Sequence, residues 1–162
     1  KSLDFLKNFG IADKENVPYV GSNAKMNEFA AAMGLCNMRH LPEYIEKRKH
    51  ISEIYTERLS DLKGIRLNKY NNDTVYNYAY FPIVVENGDR DELYESLARE
   101  NIFARKYFYP CTNAYECYSK SFDANDTPIA SDISKKVLTL PIYPDLEATD
   151  VERICDIIRR EL

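Results

Sequence analysis

The chain has 162 residues, 22 basic and 26 acidic, giving a net charge of −4; 44% are hydrophobic and 30% charged. This is the composition of one folded domain of ordinary size, and 5 glycines with 7 prolines exclude a fibrous repeat or a low-complexity chain. The acidic balance argues against non-specific nucleic-acid binding, which needs a basic surface, and no apolar run reaches the roughly 18 residues of a membrane span.

A first short helix is expected over residues 2–8, with Leu3, Phe5 and Leu6 apolar and Gly10 ending it. This start lacks the unbroken apolar core of a secretion signal. It also lacks Met and begins in mid-pattern, as a piece of a longer protein would. Residues 11–22 read as an irregular loop. From about residue 24 the pattern turns helical, with Met26, Phe29, Ala30, Met33 and Asn37 on one face at spacings of three and four. Pro42 fits the first position of a second helix. Its buried stripe would be Tyr44, Ile45, Ile51, Tyr55, Leu59 and Leu62, with Gly64 past its end. Glu46, Lys47, Lys49, Glu53 and Glu57 form the solvated face.

The segment "VYNYAYFPIVV", 75–85, is rich in β-branched and aromatic residues and reads as a strand, with Pro82 indicating an edge or a bulge. Asp89 to Glu92 forms a capping-box pattern that opens a helix to about residue 100, Leu93, Leu97 and Ala98 facing inward. "IFARKYF", 102–108, is a second strand, followed by a long polar loop over 109–127. Thr127 and Pro128 begin a short helix through Lys136, and "VLTLP", 137–141, is a third strand. Thr149 to Glu152 reads as a second capping box. The last helix then lines up Val151, Ile154, Cys155, Ile158 and Leu162. The expected fold class is α+β: a mostly antiparallel three-stranded sheet packed with helices and preceded by long helices.

Cys36, Cys111, Cys117 and Cys155 form no C-x-x-C pair, and His40 and His50 lie far from all but Cys36, so the spacing disfavours zinc. Cys36 and Cys155 fall in apolar helical patterns and are expected as buried thiols. Reduced cysteines without a secretion signal fit a cytoplasmic location. There is no G-x-G-x-x-G, no Walker loop and no G-x-S-x-G. His40 and His50 read as surface or cap residues, and Cys111, with no nearby histidine, as filler.

Two stretches suit a ligand. In "GSNAK", 21–25, Asn23 and Lys25 precede an expected helix start, a place that attracts phosphate. Asn23 can donate from its amide and Lys25 supplies a point charge. The alternative is Asn23 as a helix N-cap beside a surface lysine. The alanines that follow allow another backbone to approach closely. In "ARKYFYPCTNAYECY", 104–118, Arg105, Lys106, Tyr107 and Tyr109 crowd a strand end ahead of Pro110. Basic groups with tyrosine hydroxyls suit phosphates and sugars; the alternative is a strand edge with solvent-facing cations.

Taken together, these stretches resemble the C-terminal part of the DegT/DnrJ/EryC1/StrS aminotransferases, pyridoxal-phosphate enzymes that place amino groups on nucleotide-linked keto sugars. "GSNAKMNEFAAAMGL", 21–35, is similar to the family signature G-x-N-x-[RK]-M-x-E-x-x-A-A-x-G-L. "LKNFGI", "IEKRKHISEIYTERL", "RKYFYP" and "VLTLPIYPDLEATDVERICDII" resemble flanking family segments in the same order.

The resemblance implies that residues 1–25 are a remnant of the large cofactor-binding domain with an interface loop. Residues 26–162 would then be the small C-terminal domain with its linking helices. It implies that Asn23 bonds the cofactor phosphate across a homodimer and that Lys25 lies near the same site. The Tyr107 to Pro110 region would line the sugar pocket, making Lys106, Tyr107 and Tyr109 the substrate candidates. The implied partners are a nucleotide-linked sugar, an amino-acid donor and a sister subunit, with no nucleic acid and no membrane. The family's Pro-Leu-His turn is Pro110-Cys111-Thr112 here. The family's Schiff-base lysine matches no residue of this chain, so no catalytic residue is assigned and the chain alone is not expected to transaminate. Two other readings are a non-catalytic sugar-nucleotide binding or sensory domain, and a pyridoxal-phosphate-dependent sugar dehydratase.

Overall fold

The structure, a computed structural model, describes residues 2–71, 73–118 and 120–162. The chain clusters into two compact units, Lys1–Pro42 and Glu43–Leu162.

In the first unit the chain leaves helix α1 (Ser2–Leu6) and doubles back, so that Asn8 and Asn23 form an antiparallel bridge. Phe9 N–H donates to the Ser22 carbonyl at 3.1 Å, Ser22 N–H to Leu6 at 2.9 Å, and Ala24 N–H to Lys7 at 2.9 Å. Two glycines permit this approach. A Cβ on Gly21 would stand 2.4 Å from the Gly10 nitrogen, and one on Gly10 (φ +78°) 1.7 Å from the Tyr19 carbonyl oxygen. Phe5 and Tyr19 stack at 5.5 Å, so part of the expected irregular loop is pinned to α1.

Helix α2 runs unbroken from Glu28 to Leu59 with Pro42 inside it, where two helices were expected. Pro42 removes one bond, that to the Met38 carbonyl. A full break would orphan four carbonyls and four amides, and the leucine, glutamate and lysine around Pro42 are good helix formers. Its N-cap is Asn27, whose Oδ1 accepts from Ala30 N–H at 2.8 Å.

The second unit is built on an antiparallel sheet of order β1-β2-β3, comprising Ile65–Leu67, Phe81–Val85 and Val137–Leu140. β1 was not anticipated; three residues are too few to show a period of two. The strand expected over 75–85 begins only at Phe81. Ahead of it, Arg48 ties the loop to α2 by donating Nε and Nη2 to the Asn77 carbonyl at 3.1 and 2.8 Å.

Pro82 sits in the central strand, contrary to the expected edge or bulge, yet costs no ladder bond. Its partner Thr139 spends both N–H and carbonyl on Arg105, at 2.8 and 2.9 Å, so the Pro82–Thr139 pair is not hydrogen-bonded. The Pro82 nitrogen therefore turns to the other side, where β1 has already ended with Leu67 opposite Ile83. The strand expected over 102–108 reduces to this single Arg105–Thr139 bridge.

Helix α3 (Arg90–Arg99) is capped by Asp89, whose side chain accepts from the Asp91 and Glu92 amides as the sequence pattern predicts. Helix α4 (Pro128–Lys136) starts on its proline. Helix α5 (Ala148–Glu161) begins after Glu147, so Thr149 lies within the first turn and the second capping box does not form. Ile51, Tyr55 and Leu59 of α2, Leu93 and Leu97 of α3, Ile83, Val85, Leu138 and Leu140 of the sheet, and Val151, Ile154 and Ile158 of α5 share one core. Cys155 is buried in it as expected, whereas Cys36 is exposed. The arrangement is the α+β class with a three-stranded antiparallel sheet. No described helix is long and apolar enough to cross a membrane.

Candidate functional site

The two ligand-suited stretches lie in different units. In the first unit Asn23 is exposed on the bridge-pinned turn. Its side chain makes no hydrogen bond among the described residues. Because Asn27 is the N-cap, Asn23 is not. The first amides of α2, which begins at Glu28, are also not at Asn23, against the expectation of a helix start there. Lys25 donates from Nζ to Asn8 Oδ1 at 3.1 Å and stands 5.0 Å over the centroid of the Phe9 ring. The turn thus presents an unspent amide and a cation held by neutral partners. That donor set fits a phosphate.

In the second unit the extended segment after α3 alternates. Ile102 and Ala104 are buried, while Phe103 is exposed. Phe103, Arg105 and Tyr107 face an open pocket of about 320 Å³, together with Tyr80, Thr139 and Tyr143. Arg105 Nη1 donates to the Tyr107 hydroxyl, and its guanidinium lies 5.4 Å from the Tyr107 ring centroid. The Tyr80 ring meets Tyr107 edge-on at 5.6 Å. A planar fork of donors beside aromatic walls can hold a phosphate or carboxylate while rings pack on a sugar or base.

Lys106 falls on the opposite face, because side chains alternate along an extended chain. Its Nζ meets Asp91 Oδ1 at 2.6 Å and lies 4.4 Å over the Tyr94 ring. Lys106 above all, then Arg90, holds the Asp91 carboxyl below its ordinary value. Tyr109 covers the guanidinium of buried Arg90 at 5.0 Å. Arg90 in turn donates from Nη1 to the Ser134 and Val137 carbonyls at 3.2 and 3.1 Å. Of the three substrate candidates, Tyr107 lines the pocket, while Lys106 and Tyr109 bind the segment to α3. Arg105 was within reach of the sequence: Phe103, Arg105 and Tyr107 follow a period of two. Tyr80 and Tyr143 carried no such signal, since they arrive from separate segments. Among the described residues no cluster of histidine, cysteine and carboxylate side chains could hold a metal.

The model of the DegT/DnrJ/EryC1/StrS aminotransferase family matches residues 1–159. The chain is 42% identical to the dTDP-4-amino-4,6-dideoxy-D-glucose transaminase of Escherichia coli over 161 residues, covering 96% of this chain and 43% of that protein. Among solved structures, S. venezuelae DesV in complex with a ketimine intermediate superposes with a TM-score of 0.90 at 27% identity, covering 98% of this chain and 42% of that one. DesI in the presence of its TDP-sugar product gives 0.84 at 29% identity, with 98% and 41% covered. The chain spans less than half the length of these proteins.

Proposed function

Because the chain belongs to the DegT/DnrJ/EryC1/StrS aminotransferase family, we propose that it is the C-terminal part of a nucleotide-sugar aminotransferase. The whole protein would move an amino group from an amino acid, glutamate by family analogy, to a keto carbon of a nucleotide-linked deoxysugar. Such a product serves cell-surface polysaccharide or secondary-metabolite biosynthesis, and the enzyme works in the cytoplasm. The family is pyridoxal-phosphate dependent. When bound, pyridoxal phosphate supplies the electron sink for the amino transfer.

The chain's own residues bind and orient. Asn23 donates its amide N–H to the phosphate of a cofactor held by a sister subunit, and Lys25 adds positive charge beside it. Arg105 and Tyr107 hold the nucleotide-sugar, with Tyr80, Phe103 and Tyr143 as walls. The exposed face of Met26, Phe29 and Met33 packs in the homodimer.

The observation that carries this reading is the Asn23 amide, unbonded among the described residues, on a turn fixed by its bridge to Asn8. A hydrogen bond to a charged group is worth about 1.5–3 kcal/mol. In the full-length protein Asn23→Ala should therefore weaken pyridoxal-phosphate binding roughly 10- to 100-fold. Unchanged affinity in equilibrium dialysis overturns the assignment.

A further inference from the structure

We propose that Asn8 is the positioning residue for the Lys25 ammonium, with the Phe9 ring as its floor, so that the turn presents a fixed charge to a phosphate group. The inference rests on the reading of Asn23 above and extends it to residues outside the family-like signature.

A free lysine side chain samples many rotamers and loses that freedom on binding. Here Nζ already has Asn8 Oδ1 at 3.1 Å and the Phe9 ring at 5.0 Å. An ammonium has three donors, so one acceptor and one ring face leave N–H groups for a ligand. The amide orientation of Asn8 is forced, because lysine offers only donors and the oxygen must face it.

The backbone supports the same arrangement. Phe9 has φ +57° and Gly10 φ +78°. A bulky residue in the left-handed region is uncommon and persists only where its surroundings hold it. Here the Phe9 amide is held by the Ser22 carbonyl at 3.1 Å. That pair of turns brings the ring under Lys25. Asn8 is also the bridge partner of Asn23. One short pairing therefore sets both donors, the amide of Asn23 and the ammonium of Lys25.

The choice of partner separates Lys25 from Lys106 and Lys7. Lys106 spends its charge on Asp91 at 2.6 Å, and Lys7 on Asp4 at 3.2 Å. Lys25 is held by a neutral amide, which fixes position without cancelling charge. The phosphate it meets is that of pyridoxal phosphate or the diphosphate of the nucleotide.

The test uses the full-length protein and two pairs of probes, each with and without phosphate: pyridoxal phosphate against pyridoxal, and thymidine diphosphate against thymidine. Dissociation constants come from calorimetry without turnover. Asn8→Ala is expected to lower the phosphate-dependent affinity ratio at least threefold in one pair, which identifies the source. Lys25→Met should do the same, and the double variant should go no lower than Lys25→Met. Asn8→Gln, which keeps a neutral acceptor, should recover part of the loss and covers the case in which Asn8→Ala does not fold. Asn8→Asp should lower the ratio by cancelling the charge.

The proposal is overturned if neither ratio moves in Asn8→Ala and Asn8→Gln. It is also overturned if affinity falls equally with and without phosphate, as mere distortion would give. An Asn23→Ala protein that retains full pyridoxal-phosphate affinity sinks the earlier reading. A weakened Asn23→Ala beside an unaffected Asn8→Ala sinks this inference alone.

Discussion

The Tyr55 hydroxyl donates to the Pro141 carbonyl at 2.9 Å, joining α2 to the residue after β3 across 86 positions of sequence. Tyr55 is fully buried, and its ring stacks on Phe81 at 4.8 Å. Tyr55→Phe keeps the ring and strands a carbonyl, so it should cost about 1–3 kcal/mol in urea unfolding.

The same burial makes stability pH-sensitive at the alkaline end. Burial pushes the Tyr55 hydroxyl well above its ordinary 10.0, and burial pushes the Cys155 thiol from 9.0 up to about 12. Each folded value lies above the unfolded one. The contribution is therefore complete below the unfolded value and is lost as pH rises past it. Stability should hold to about pH 9, then fall as first Cys155 and then Tyr55 ionise preferentially in the unfolded chain. Tyr55→Phe should flatten the part of that slope above pH 10, and an unchanged slope in urea midpoints would refute it.

Ile83 is fully buried at the centre of the sheet, opposite Leu67 on one side and Leu138 on the other. Ile83→Ala leaves a cavity flanked from both neighbours and should cost about 2–5 kcal/mol. At roughly 2–4 °C per kcal/mol for a chain of this size, calorimetry should record a clear drop in melting temperature.

Asp91→Asn tests the clamp on Lys106. The Asp91 carboxyl lies below its ordinary 3.8, so its contribution is present above that value and lost as pH falls through the folded one. The side chain is 58% exposed, so solvent screening keeps the effect below about 1 kcal/mol. The variant should be slightly less stable at pH 6 and should unfold with a shallower acid slope. Equal acid slopes would show that the clamp carries no energy.

Phe29 and Met33 on the first turns of α2, and Met26 just ahead of it, are exposed, Phe29 at 87%. The isolated chain should therefore self-associate. Replacing Phe29 and Met33 by serine should shift sedimentation toward monomer. A monomer at high concentration in the unaltered chain would refute the role of this face.

Local signals carried much of the account from sequence alone. Asp89 announces its own helix because a cap bonds within two or three residues. The apolar stripe of α5 is legible because its spacing matches the helical turn. Asn23 and Lys25 stand out because the signature around them is long.

The tertiary structure decided what depends on distant partners. Pro42 remains helical because the bonds kept on both sides outweigh the one it forfeits. Pro82 is tolerated in a central strand because β1 stops one residue short and Thr139 turns to Arg105. Lys106 parted from Tyr107 because Asp91 waits on the other face. Tyr80 and Tyr143 reach the pocket from strands' ends far apart in the chain, and no periodicity records such a meeting. Local chemistry is written in neighbouring letters, whereas a pocket exists only once the backbone has brought its walls together.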